Sequence, residues 1–215
     1  MNFGNKFYLC AEKILLFTIY EKTLIMKDYR LEQFGKIIRD AYDIASAHGF
    51  HEKDSELNVE HFLMLIVSEI GELVDADRRG RRSGFGLFDD ALRTRDFRYC
   101  FETYIKDTVE DEFADIAIRI ADLCGVYGIE VSPAAMDDYF ESDFSCLTFT
   151  ERAFVLNHML VSGDDAEEDL ENRLGSALSF VVAWCNADGI DLARHISMKM
   201  KYNEGRPMLN GKKYW

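Results

Sequence analysis

Two acidic pairs carry the most chemical information in this chain: Glu69 and Glu72 in SEIGE, and Glu112 and Asp115 in EDEFAD. Residues at i and i+3 lie one turn apart on the same helix face, so each pair aims two carboxylates in one direction. Both pairs are set in apolar helical sequence. Glu69 comes just after LMLIV, and Glu112 and Asp115 stand among Phe113, Ala114, Ile116 and Ala117. Unpaired charge is costly to bury in such surroundings. Four carboxylates converging between two helices repel one another unless something positive sits among them. Mg²⁺ or Mn²⁺, hard ions that take oxygen ligands, are the simplest candidates. A single ExxE is weak evidence, because solvated helix faces are rich in glutamate. Two such pairs flanking buried stripes are harder to dismiss.

The elements that must position these groups read as helices throughout. Leu31, Phe34, Ile37, Ile38, Ala41, Ile44 and Ala45 follow helical spacing up to Gly49. Asn58 can cap a second helix with the stripe Phe62, Leu65, Ile66, Ile70, Leu73 and Val74, ending near Gly80. A third starts around Asp107 or Thr108 and carries Phe113, Ile116, Ile120 and Leu123 toward Gly125 and Gly128. Residues 132–147 read as a loop, two helices follow over 149–162 and 165–187, and a last one spans 190–202. The stretch 80–104 reads as irregular. With Arg78 and Arg79 it gathers arginines at 78, 79, 81, 82, 93, 95 and 98, a basic island suited to a lid on phosphates or to a subunit interface. With only two prolines, Pro133 and Pro207, the fold class is all-α, a bundle of about five to seven helices.

Composition narrows the partners. At 215 residues the chain can bury a substantial core, and a formal net charge of −14 argues against a nucleic-acid surface. The five cysteines form no CxxC or zinc spacing, and Cys124 and Cys185 fall on apolar helix patterns, which points to a reducing, cytoplasmic setting. Residues 1–25 are apolar but interrupted by Glu12, Lys13, Glu21 and Lys22. Their longest uncharged run, Ile14 to Tyr20, falls far short of the ~20 residues of a membrane span. They are set aside as an N-terminal extension, and residues 26–215 are assigned to one domain.

A faint echo runs through the chain. DEFADIAIRIADLCGVYGIEV (111–131) aligns without gaps on NRLGSALSFVVAWCNADGIDL (172–192), bringing Cys124 onto Cys185 and Gly128 onto Gly189. The chemistry does not repeat, since Glu112 falls on Arg173 and Asp115 on Ser176. Either a helical hairpin has been duplicated, its second copy reduced to scaffold, or two amphipathic helices share a glycine stop.

The order SEIGELVDADRRG, then YIKDTVEDEFADIAIRIADLCGVYGIEV, then KMKYNEGRPMLNGKKYW resembles the MazG-like nucleotide pyrophosphohydrolases. These belong to the all-α NTP pyrophosphatase superfamily, which also holds the dimeric dUTPases. The resemblance covers about residues 30–215. It implies a Mg²⁺-bound acidic site that cleaves a nucleoside triphosphate to monophosphate and pyrophosphate. By that resemblance Glu69, Glu72, Glu112 and Asp115 are the metal ligands. The chemistry further calls for one carboxylate, Glu69 or Glu72, to orient the attacking water and accept its proton, and spacing does not choose between them. It also implies a homodimer or homotetramer and a house-cleaning role on a nucleotide such as dUTP or dCTP. The long arginine-rich loop and the ligand-free second half depart from the family pattern.

Elementary electrostatics agrees with a metal. A triphosphate brings roughly four negative charges to four carboxylates, and each like-charge contact at ~4 Å costs on the order of a few kcal/mol. The tail supplies the opposite sign: Lys199, Lys201, Arg206, Lys212 and Lys213 fall within fifteen residues. Lys199, Tyr202, Asn203, Arg206 and Lys212 are the candidate substrate contacts, against the alternative of a solvated terminus. Arg119, four residues after Asp115, can pair with that carboxylate. Asp122 reads as a surface charge rather than support for the site, and His61 as structural rather than lining a base pocket. The acidic run 164–171 fits a helix start. Two rivals stand beside the main reading: a non-catalytic helical module that binds nucleotide or protein, and a phosphoribosyl-ATP pyrophosphohydrolase.

Overall fold

The computed structural model describes residues 34–51, 58–130, 144–162 and 167–211, and among them every regular element is helical. The proposed 1–25 extension and Lys212 lie outside the described residues. In chain order the helices are α1 over 34–47, α2 Val59–Arg78, α3 Phe85–Ala91, α4 Phe97–Tyr104, α5 Val109–Tyr127, α6 Phe149–Val161, α7 Glu167–Ala187 and α8 Leu192–Glu204. Short 3₁₀ turns cover Phe144–Cys146 and Met208–Gly211.

The all-helical class is as expected. The count is eight among the described residues rather than five to seven, and the excess is α3 and α4. They occupy the segment expected to be irregular. Asp96 caps α4 by accepting from the Tyr99 backbone N–H at 2.9 Å, a signal hidden inside an arginine-rich run. Phe88, Cys100, Phe101 and Ile105 then bury themselves against Met198 and Tyr202 of α8, forming a small second core. Much of the basic charge is matched locally: Arg79 pairs with Asp75, Arg82 with Asp77 and Arg98 with Glu102.

Helix α5 is the axis of the main core. Its apolar residues run almost all round the helix, so it has to be covered on several sides. It packs on α2 most extensively, on α8 and on α7, while α6 closes against α2 and α7. Phe113, Ile116, Ile120 and Leu123 meet Ile66 and Leu73 of α2 and Trp184 of α7 in one continuous cluster. Local chemistry sets the helix starts. The Asn58 side chain accepts from the His61 N–H at 2.8 Å, and Thr148 with Glu151 forms a reciprocal capping box before α6.

The echo between α5 and α7 extends to their ends. Gly128 (φ 65°) and Gly189 (φ 71°) both take the left-handed conformation. In both helices the next residue donates back at 2.8 Å, Ile129 to the Cys124 carbonyl and Ile190 to the Cys185 carbonyl, the Schellman pattern. Arg173, aligned on Glu112, is buried and donates to the Leu160 carbonyl, so this position in α7 serves packing.

At Gly125, α1 passes close over α5. A Cβ there would lie 2.6 Å from the Tyr42 Cβ, well inside contact distance. Gly125→Ala is therefore expected to destabilise by about 1–3 kcal/mol through overpacking, outweighing the gain in helix propensity. Urea denaturation of the variant would measure this, and an unchanged midpoint would show that the two helices are free to move apart.

Candidate metal centre and adjoining pocket

The site forms where the first turns of α5 face the middle of α2 and the body of α8. Thr108 caps α5, accepting from the Asp111 N–H at 3.3 Å while its hydroxyl donates to the Ile105 carbonyl at 2.6 Å. Just before it, Asp107 adopts φ 59°, a left-handed conformation unusual for a non-glycine residue, and its N–H donates to Asp111 Oδ2 at 3.1 Å. This sharp entry starts α5 with Glu110, Asp111 and Glu112 in its first turn, where the helix dipole favours negative charge. The dipole does not account for burial: Asp111 is 1% exposed and Glu112 3%.

Carboxylate oxygens of Glu69, Glu112 and Asp115 come within 4.8 Å of one another, and so do those of Asp107, Asp111 and Glu112. Glu112 belongs to both groups. Of the four ligands expected from sequence, three converge. Glu72 does not join them; it lies exposed one turn along α2, close enough for its charge to act on Glu69 and Glu112.

Two cations enter the cluster. Arg119 Nε lies 2.5 Å from Glu69 Oε1, so this arginine pairs across to α2 rather than along its own helix to Asp115 as expected. The α5–α2 contact brings Glu69 within its reach. Lys199 extends from α8, with its Nζ 2.9 Å from Asp111 Oδ2 and 2.5 Å from Asp115 Oδ2. Among the described residues, the ion pairs of Glu69, Asp111 and Asp115 within the cluster are made by these two cations. Asp111 Oδ1 and Glu112 Oε2 are buried without a hydrogen-bond partner among the described residues.

The electrostatic consequences are large. Burial, reinforced by Asp115, pushes Glu112 up to about 8, so without a further cation it holds a proton at neutral pH. Burial raises Asp111 to about 6 against the opposing pull of Lys199. Glu69 is raised by burial, with Arg119 working in the other direction. Burial alone would lower Lys199, but Asp115 and Asp111 hold it above the usual lysine range.

The donor set fits a hard divalent ion. Octahedral Mg²⁺ with bonds of ~2.1 Å places its oxygens about 3 to 4 Å apart, a small side-chain adjustment from the spacing here. The unpartnered oxygen of Glu112 is the atom most in need of a positive neighbour.

Beside the cluster lies a pocket of about 130 Å³, sharing Asp115 and Arg119 with it. Asn203 and Arg206 at the end of α8 line it, together with Phe62 and Leu65 of α2 and His48, Phe50 and His51 after α1. Asp122 lines it too, with the His51 Nε2 at 3.1 Å, and is therefore a pocket residue rather than the surface charge expected. The reason is tertiary, since α1 lies over that face of α5. His51 is further placed by Ser46 Oγ at 2.8 Å and by stacking on Tyr42. His61 is half-buried, edge-on to Phe62 and outside this lining.

The candidate substrate residues of the tail divide. Asn203 and Arg206 reach the pocket, Lys199 the acidic cluster. Tyr202 faces the second core, stacked on Phe101 at 4.5 Å with its hydroxyl donating to Glu102 at 2.9 Å. Sequence reasoning passed over Asp107 and Asp111. The spacing of four from Asp111 to Asp115, and of four again back to Asp107 just ahead of the helix, was the available signal.

Comparison of the chain with protein-family models, with curated proteins and with solved structures finds no match in any of the three. Among the described residues, no helix is long and apolar enough to cross a membrane.

Proposed function

We propose that this protein is a metal-dependent nucleoside triphosphate pyrophosphohydrolase of the MazG-like kind, releasing nucleoside monophosphate and pyrophosphate. The observation that carries the reading is the convergence of Glu69, Glu112 and Asp115 from two helices, with a buried Glu112 oxygen that has no partner among the described residues at their meeting point. The motif order in the sequence supports the choice of reaction, and the adjoining pocket gives room for part of a ligand beside the acids.

Mg²⁺ held by Glu69, Glu112 and Asp115 would offset phosphate charge, polarise phosphoryl oxygens and acidify a water. The chain's own groups supply the rest. Arg119 fixes the direction of Glu69 through their ion pair. Glu72, exposed and outside both carboxylate groups, is our choice over the ion-paired Glu69 for the carboxylate that accepts the proton of the attacking water. Arg206 and Asn203 offer donors at the pocket wall, where a nucleotide's oxygens or ring edges can accept.

A second reading is favoured by one feature. Lys199 and Arg119 already compensate part of the negative charge, as they would in a helical module that binds without turnover. Incubation with a panel of deoxynucleoside triphosphates and phosphoribosyl-ATP, with Mg²⁺ or with EDTA, separates the two. The expected result is Mg²⁺-dependent release of pyrophosphate and the matching monophosphate from at least one substrate. Binding without release would instead establish the module, and neither binding nor release would leave only a helical scaffold.

A further inference from the structure

The acidic cluster contains a resident cation that uses the same carboxylate a metal would use. Lys199 Nζ bridges Asp111 and Asp115, which lie on successive turns of α5, and its side chain is 7% exposed. Asp115 is also one of the three acids whose oxygens converge with those of Glu69 and Glu112. An ammonium at 2.5 Å and a divalent ion cannot both draw on that carboxylate at full strength.

We propose that Lys199 is a displaceable counter-cation that competes with the divalent ion for Asp115, so that the site stays folded when empty and releases the lysine when the ion enters. This rests on the metal-binding reading above and adds a regulatory residue to it. Three observations support displacement over a purely structural pair. Lys199 and Asp111 are buried and Asp115 opens at its edge onto the pocket, so a displaced ammonium leaves a carboxylate that an incoming ion can reach. The bridge also leaves Asp111 Oδ1 and Glu112 Oε2 without a partner among the described residues, so one ammonium does not satisfy the cluster. A resting place for the released charge is close by, since Nζ already lies 5.7 Å from the centre of the Phe101 ring, within cation–π range. Arg119 is less suited to such a role, being 40% exposed and joined to Glu69 alone among the converging acids.

The test is Mn²⁺ titration of the full chain, following the unbound ion by electron paramagnetic resonance, for the wild type and Lys199→Met. Methionine keeps the apolar stem and removes the charge. The expected result is Mn²⁺ binding about tenfold tighter in K199M, because a competing cation has gone. The same variant should melt at lower temperature than the wild type in EDTA, and gain more from Mn²⁺. Equal or weaker Mn²⁺ binding by K199M would overturn the proposal, showing that Lys199 only positions the ligands. If neither protein binds Mn²⁺, the metal-centre reading fails and this inference goes with it. Should K199M not fold, acetic anhydride labelling of the wild type decides, read at Lys199 by mass spectrometry. Labelling that rises on saturation with Mn²⁺ supports displacement, and labelling that does not change overturns it.

Discussion

In EDTA, Glu112→Gln is expected to remove most of a stability loss of a few kcal/mol that the wild-type protein suffers between pH 5 and pH 8. The ordinary value for the glutamate carboxyl is 4.5, and in the folded protein burial pushes it up to about 8. Below 4.5 both folded and unfolded chains carry the proton and no penalty arises. As pH rises from there toward about 8, the unfolded chain has released its proton while the folded chain retains it. The native state then binds more protons than the unfolded state, so stability falls with rising pH. At ~1.4 kcal/mol per unit the total is on the order of a few kcal/mol. Asp111, raised to about 6, adds to the same trend over the lower part of that range. Glutamine cannot ionise, so the slope should flatten, whatever constant offset its amide introduces. Urea denaturation at several pH values measures the slope directly. A variant as pH-sensitive as the wild type would show that Glu112 is not the strained carboxyl. In the proposed hydrolase the same substitution alters the acid common to both carboxylate groups, and Mg²⁺-dependent pyrophosphate release should drop at least about a hundredfold, more than loss of an outer-sphere partner usually costs.

Trp184→Ala is expected to cost about 3–5 kcal/mol, the largest stability loss of any single truncation proposed here. Trp184 is fully buried, with Phe113 at 4.9 Å and Phe149 at 4.8 Å between ring centres. It thereby joins α5, which carries the acids, to α6 and α7. Its indole N–H donates to Asp188 Oδ2 at 2.9 Å, so truncation also removes one of the two donors of Asp188, leaving Arg152 on Oδ1. The cavity left between three helices cannot close without moving α5. Met64→Ala is the useful control, since Met64 is 63% exposed and should change stability by no more than about 0.5 kcal/mol. If the two variants melt together, the aromatic cluster does not hold the bundle.

Periodicity and capping chemistry are local, and the sequence is most informative where they suffice. Asn58 and Thr108 start α2 and α5, and Gly128 and Gly189 stop α5 and α7, because each decision depends on a few neighbouring backbone groups. The two acidic pairs were legible for the same reason, since spacing along a helix fixes a common face. The segment 80–104 was misread because arginines and glycines mask the capping Asp96 and the aromatic residues that build α3 and α4. Those aromatics become a core only when α8 brings Met198 and Tyr202 to them.

What the sequence alone determined was the helical class, the helix ends set by local caps, and which carboxylates share a face. The tertiary packing decided which of them meet. It turned Glu72 outward, brought Asp107 and Asp111 in, carried Arg119 across to Glu69 and sealed Lys199 between Asp111 and Asp115. Contacts between residues 50 or 88 positions apart depend on how whole helices pack. No spacing along one helix encodes that, because it follows from the burial of every apolar face at once.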